Sequence, residues 1–275
     1  MTEAKGHTAV RAQKRPRVSD GEPWQKYELF PTPPWATRAL FERVLPEMLE
    51  EFRGKHLSKC SARDPCAGLG HMSEVMAEYM EVVHASDREH YKLGCGGWRY
   101  GVLHWNTSGL GIEKIDFLDR QMILAPDDWF VFNPPFGRAA KFLERALHLA
   151  TNGVAVLLRT QWLETEGRYR DVFTRTPPTR VAQFVERVSM CEGGWDPRGS
   201  FASSYAWFIW MRDKDGEWPR PRCNHTIPFF LIPPGSKKAL TRESDALLAA
   251  RFVPGFVPPS TLKKIGKKQM SLEGV

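Results

Sequence analysis

The sequence predicts an α/β domain built on a mainly parallel sheet with helices on both faces, and three observations lead there. Short apolar runs of strand length alternate with stretches whose apolar residues recur at helical spacing. Glycine- and proline-containing turns stand where a strand hands over to a helix. A length of 275 residues suits one large core domain with insertions better than two full domains.

Residues 1 to about 23 are polar, basic and poor in aromatics, the composition of a disordered arm, and order is expected from Trp24. Thr32-Pro33-Pro34-Trp35 reads as a helix start, because Thr32 can cap and proline is tolerated in a first turn. Leu40, Phe41, Val44, Leu45, Met48, Leu49 and Phe52 recur at helical spacing, and Pro46 should kink or divide the run. A first strand approaches Asp64; it is polar for a central strand (Lys59, Ser61, Arg63), so its placement rests on the loop that follows. Met72, Val75, Met76, Tyr79 and Met80 mark the next helix, Val82 to Asp87 a second strand, and a third candidate ends at Asp116. Trp129 to Phe132 forms an apolar strand running into Asn133, followed by a helix whose apolar face is Ala139, Phe142, Leu143, Ala146, Leu147 and Ala150. Val154 to Leu158 is the clearest strand. Val181 to Val188 and Tyr205 to Met211 read as two more, the latter packing Trp207, Phe208 and Trp210 in the sheet. The organisation is then an arm over 1–23, a core domain over 24–212 with insertions near 88–110 and 189–203, and a proline-rich, basic extension over 213–275. That extension contains an apolar run from Ile227 to Ile232 and ends with Lys263, Lys264, Lys267 and Lys268.

Composition narrows the function. The hydrophobic share is 42%, and no run approaches the roughly 18 apolar residues that span a bilayer. The first twenty residues lack the apolar stretch of a secretory signal, so a cytoplasmic location is expected. Cys60, Cys66, Cys95, Cys191 and Cys223 are scattered without metal-ligand or disulfide-framework spacing. A net charge of +7 and a pI near 9.2 suit a polyanionic partner. No obligate protein partner is evident.

The strongest chemical signal is Asn133-Pro134-Pro135-Phe136, between an apolar strand and a helix. Ligands of open α/β sheets bind outside the carboxyl ends of the strands, and a turn stiffened by two prolines there projects its polar groups into a cleft. An adenine amino group is a poor nucleophile because its lone pair is delocalised into the ring. The Asn133 side-chain oxygen and the Pro134 carbonyl can both accept its N–H bonds, concentrating electron density on nitrogen. Phe136 offers an aromatic face for a base flipped out of the stack.

In this position N-P-P-F resembles the catalytic motif of amino-methyltransferases, above all the S-adenosylmethionine-dependent DNA adenine (N6) methyltransferases. Asp64-Pro65-Cys66-Ala67-Gly68-Leu69-Gly70 resembles their D-P-x-x-G-x-G cofactor loop, which implies cofactor contacts by Asp64, Cys66, Ala67, Gly68 and Gly70. Asp87 stands where Rossmann-like proteins keep an acid for ribose hydroxyls. Asp116-Phe117 resembles the adenine-binding position, and Thr32-Pro33-Pro34-Trp35 the segment whose threonine contacts the methionine end of the cofactor. The resemblance covers roughly residues 30 to 140 and implies a Rossmann-like methyltransferase fold, with a seven-stranded, mainly parallel sheet containing one antiparallel strand. It also implies adenine in DNA as the substrate, and compact phage-encoded or orphan enzymes are of this kind.

Base recognition falls to loops: Arg88, His90, Lys92, Trp98, Arg99 and Trp105 in one, Trp195, Arg198 and Phe201 in the other. His71 and His90 lie near the site segments and read as solvent-facing or hydrogen-bonded, without a catalytic role. Three other functions stay open: methylation of adenine in RNA, methylation of a protein glutamine amide, and non-enzymatic nucleic-acid binding by a degenerate cofactor site.

Overall fold

A computed structural model gives the fold and describes residues 28–52, 56–91, 111–199, 202–221 and 226–262. The arm over 1–23, Trp24, Cys95, Cys223, Phe201, the four lysines from Lys263 to Lys268, and Lys92, Trp98, Arg99 and Trp105 of the first insertion lie outside those residues.

Among the described residues eight strands form one sheet: β1 (Ser61–Asp64), β2 (Val82–Asp87), β3 (Ile112–Lys114), β4 (Asp127–Phe132), β5 (Ala150–Arg159), β6 (Arg180–Phe184), β7 (Tyr205–Met211) and β8 (Phe229–Ile232). Their order is β3-β2-β1-β4-β5-β7-β6-β8. Every neighbouring pair is parallel except those of β7, which runs antiparallel to both β5 and β6. This is the Rossmann-like α/β arrangement expected, with one strand more than seven. The addition, β8, lies in the stretch read as an extension and pairs with β6.

Alternation along the central strands separates two cores. Trp129 and Val131 of β4, Ala155 and Leu157 of β5, and Trp207 and Ile209 of β7 face one side. Helices α1 (Pro34–Ala39), α2 (Leu45–Phe52) and α3 (His71–Met76) supply that side's cover through Trp35, Ala39, Leu45, Met72 and Met76. Phe130, Phe132, Val154, Val156, Phe208 and Trp210 face the other side, against Phe142, Leu143 and Ala146 of α4 (Ala139–Leu149). Period-two side-chain direction in strands buried on both faces produces this split. The indole N–H groups of Trp207 and Trp210 donate to the carbonyls of Ala36 (3.0 Å) and Thr176 (2.8 Å).

Several boundaries differ from the sequence reading for identifiable reasons. Thr32 is not the helix cap: Pro33 takes that position without a side-chain bond, and Pro34 opens the helix. Pro46 does not divide the helical run. Leu40–Val44 widens to a π-helical turn, with the Leu45 N–H reaching the Leu40 carbonyl, and the helix continues through the proline. β3 stops at Lys114, two residues short of Asp116, and β6 stops at Phe184 rather than Val188. Ala150 starts β5 instead of closing α4.

The polar first strand is central because its polar groups are met. The Ser61 N–H donates to Asp128 Oδ2 and the Asp128 N–H to Ser61 Oγ, both at 3.0 Å. Buried Arg63 pairs with Asp127 at 2.7 Å, and Asp127 also meets His84 at 2.8 Å. Lys59 lies in a 3-10 turn ahead of the strand. After β8, α5 (Ser236–Leu240) and α6 (Asp245–Ala249) return to the core face. Arg38 of α1, 1% exposed, holds them by donating to the Leu240 carbonyl (2.9 Å) and to both Asp245 oxygens (2.8 Å each), while Glu78 takes its remaining N–H groups.

Candidate active site

The carboxyl ends of β1, β2 and β4 and the segment after β3 open into one cavity of about 470 Å3, within the range of roughly 300–1,000 Å3 typical of small-molecule sites. Of the residues singled out in the sequence, Thr32, Asp64, Cys66, Ala67, Gly68, Asp87, Asp116, Phe117, Asn133 and Pro135 line it. Gly70, Pro134 and Phe136 stand outside its wall.

The loop after β1 is built from short-range bonds that expose its backbone. Asp64 is buried; its oxygens accept from the Ser73 hydroxyl (2.8 Å) and the Cys66 N–H (3.4 Å). Gly68 adopts φ +55°, and a Cβ there would lie 2.7 Å from Leu29 Cδ1, so both backbone shape and space require glycine. The Gly68 N–H donates to Asp87 Oδ2 (2.8 Å), which ties the β1 loop to the end of β2. Gly70, at φ +78°, turns the chain into α3, a role in shaping the loop.

Asp87 also accepts the Glu89 N–H at 2.9 Å, and the Arg88 backbone adds a further bond, so of the carboxylate's four lone-pair sites at least one stays open to a ligand. Burial pushes its carboxyl up to about 6, against the pull of those backbone N–H groups. Burial pushes Asp64 up to about 7 even though the Ser73 hydroxyl favours its ionised form. Asp116 turns back to accept the Leu118 N–H (3.0 Å), and its other oxygen lies 3.8 Å from Arg88 Nε. Phe117, 1% exposed, is anchored against Phe130 and Phe142 at the cavity wall.

Asn133 follows β4, the neighbour of β1 in the sheet. Its amide nitrogen donates to the Phe30 carbonyl (3.1 Å) and to Thr32 Oγ1 (3.1 Å), with Met190 Sδ at 3.6 Å. Two oxygen acceptors on one side of the amide fix which way round it sits, so its Oδ1 is the atom left without a protein donor among the described residues. The Cys66 thiol donates to the Asn133 carbonyl at 3.4 Å, joining this loop to the glycine loop. Phe136 packs against Phe30, ring centroids 5.4 Å apart, and the Arg159 guanidinium lies over its ring at 4.4 Å.

Sequence reasoning passed over the segment Glu28–Pro31, which lines the cavity and holds Asn133 through Phe30; no local pattern marks a carbonyl that acts across a hundred residues of chain. His71, read from the sequence as solvent-facing or hydrogen-bonded, is not solvent-facing: it is 1% exposed at the cavity wall, with the Leu248 backbone beside its ring. His90 is exposed. Trp195, expected on a recognition loop, is buried, its ring edge-on to His71 at 6.4 Å, whereas Arg198 is exposed.

No protein-family model matches the chain, and no curated protein matches it in sequence. Solved structures do. A Listeria monocytogenes protein described as a class I S-adenosylmethionine-dependent methyltransferase is 11% identical with a TM-score of 0.47, over 74% of this chain and 68% of that one. A Pyrococcus horikoshii protein described as an RNA methyltransferase is 14% identical with a TM-score of 0.46, over 70% and 91%. Magnesium protoporphyrin IX methyltransferase from Synechocystis, solved with bound S-adenosylmethionine, is 12% identical with a TM-score of 0.40, over 63% and 79%. The chemistry of the site rests on its own residues.

Proposed function

We propose that this chain transfers a methyl group from S-adenosylmethionine to the exocyclic amino group of adenine in DNA. The observation that carries the reading is the Asn133 amide: its nitrogen is tied to Phe30 and Thr32, which presents Oδ1, an acceptor, beside a cavity lined by five carboxyl groups, those of Asp64, Asp87 and Asp116 among them.

The cavity's donors and acceptors fit that cofactor. Asp87 keeps an open lone-pair site for a ribose hydroxyl and Asp116 one for an adenine amino group, while Gly68 and Ala67 supply close backbone. Thr32, Asp64 and Cys66 complete the binding wall toward Asn133. Bound there, S-adenosylmethionine supplies an electrophilic methyl group on a sulfonium.

The residues of the chain do the rest. Asn133 Oδ1 and the Pro134 carbonyl accept the two amino hydrogens of the target, so that its nitrogen lone pair turns out of conjugation toward the methyl group. A preset acceptor pair needs no strong base beforehand: the new N–C bond forms as the sulfonium S–C bond breaks, S-adenosylhomocysteine leaves, and the methylated amino group then gives one proton to solvent. Pro135 stiffens the turn, and Phe136 positions the flipped base at the cavity mouth. The basic balance of the chain supports a polyanionic substrate. Thr32 serves this chemistry by orienting Asn133, in addition to the cofactor contact that the resemblance implies.

The test is incubation of the full chain with labelled S-adenosylmethionine and, in parallel, unmethylated duplex DNA, structured RNA and a glutamine peptide. Label in DNA adenine supports the proposal. Label in RNA adenine keeps the chemistry and changes the polymer, label in the peptide replaces the substrate class, and no label with any of them refutes enzymatic transfer.

A further inference from the structure

The arginines of this chain divide by what holds them. Arg38, Arg63, Arg242 and Arg251 meet carboxylates, while Arg145 and Arg168 spend their N–H groups on backbone carbonyls. Arg138, Arg159 and Arg187 form no ion pair among the described residues, and all three stand about the turn that carries Phe136. Arg159 ends β5, the neighbour of β4 in the sheet, and its guanidinium lies 4.4 Å from the centre of the Phe136 ring. Arg138 closes the 3-10 turn that Phe136 opens and is exposed at the cavity wall. Exposed Arg187 donates to the Ala202 carbonyl and to Ser204 Oγ (3.1 Å). The Ser204 carbonyl in turn accepts the Thr160 N–H at 3.0 Å, which sets Arg187 beside the end of β5.

Arg159 is half-buried, and its protein contacts are the Phe136 ring and a hydrogen bond to the side chain of buried Tyr205, its partner on β7. Its Nε is enclosed without a partner, so the terminal nitrogens are what a ligand can reach. Exposed Glu164 and Glu166 lie further along the connection after β5 and pair with none of the three arginines. A guanidinium left without a carboxylate suits an anion from outside, and its planar fork matches a phosphate. The cavity wall carries five carboxyl groups together with Arg88 and Arg138, whereas Phe136 and Arg159 stand outside it. The anion that meets Arg159 therefore belongs to the part of a substrate that stays outside the cavity.

We propose that Arg159 binds a backbone phosphate of the nucleic-acid strand whose base Asn133 takes. This rests on the nucleic-acid reading above. In the sheet order Arg138 follows β4, Arg159 ends β5 and Arg187 stands beside the start of β7, so a strand laid across those ends passes all three cations. Arg159 is then a binding residue that joins the strand's backbone to the ring of the catalytic turn.

The test is fluorescence anisotropy of a labelled unmethylated DNA duplex and of a structured RNA with the full chain and its variants, from about 50 to 200 mM salt. R159M and R187Q should each weaken binding and reduce the slope of log affinity against log salt by about one, the loss of one phosphate contact. R159K, which keeps the charge, should keep the slope. A slope unchanged by R159M, in a variant that still melts cooperatively, overturns the proposal, even where turnover falls because Phe136 has lost its support. Where R159M does not fold, R187Q decides by the same criterion. The slope change on RNA alone keeps the phosphate contact and changes the polymer. An unchanged chain that binds neither polymer overturns the nucleic-acid reading itself.

Discussion

At the scale of single residues, the Asn133 amide nitrogen is held by Phe30 and Thr32, and this leaves Oδ1 as the acceptor that the proposed chemistry uses. Asn133→Ala should therefore lower kcat by about 10²-fold or more while the dissociation constant for S-adenosylmethionine, read by calorimetry, stays within about twofold. Asp87 gives a pH prediction whose sign follows from its raised carboxyl pKa of about 6. A group raised by folding stabilises the fold in acid: that contribution is complete below about pH 4 and is lost as pH rises through about 6. Ligand hydroxyls prefer the ionised acceptor, so cofactor affinity should fall as pH drops from 7 to 5, and Asp87→Asn should flatten the profile. An unchanged slope in that variant would remove Asp87 from the binding role. Asp87 and Asn133 were legible as positions in the sequence because each sits where a strand-like run stops and a turn begins, and Asp64 only through the glycine loop that follows it. Thr32 was legible as a position only. Its bond to Asn133 joins residues 101 apart, and His71 looked ordinary until the fold closed around it.

Among the elements, β1 shows where periodicity fails and packing succeeds. A four-residue strand with Ser61 and Arg63 at the middle of a parallel sheet breaks the apolar pattern, yet Asp127 and Asp128 of β4 meet its polar groups. The sequence placed the strand only through the glycine loop behind it, because its partners are more than sixty residues away. β4, β5 and β7 were legible directly, their unbroken apolar runs being what burial on two faces demands. Helix α2 was harder: a π-helical turn ahead of Pro46 leaves no signature in side-chain spacing. At Gly153 of β5 the sheet leaves no room, since an added Cβ would fall 2.4 to 2.8 Å from three atoms of the Trp129 ring. Gly153→Ala should destabilise the chain by about 1–3 kcal/mol, seen as a lower midpoint in thermal denaturation, because the fully buried Trp129 has nowhere to move.

Across the whole molecule, the stretch after residue 213 returns to complete the domain. Its β8 was hidden in the sequence as four residues in a proline-rich tail, of which Phe229 and Leu231 remain 55% and 59% exposed at the sheet edge. Residues further on reach the cavity side: the Val253 N–H donates to the Gly193 carbonyl (2.9 Å), and the Gly193 N–H to the Leu29 carbonyl (2.8 Å), which buttresses the wall beside Gly68. Arg38 joins α1 to α6 through Asp245 in a buried pair. Asp245→Ala strands part of that charge and should cost on the order of 3 kcal/mol in urea unfolding; a loss below about 0.5 kcal/mol would show the tail to be an independent appendage. The central claim concerns what the assembled cavity does. Nucleoside analysis of unmethylated DNA, incubated with labelled S-adenosylmethionine and either the unchanged chain or Asn133→Ala, measures it most directly. The account predicts label in N6-methyladenine with the unchanged chain and almost none with the variant; no label, label on another base, or equal label from both would contradict it.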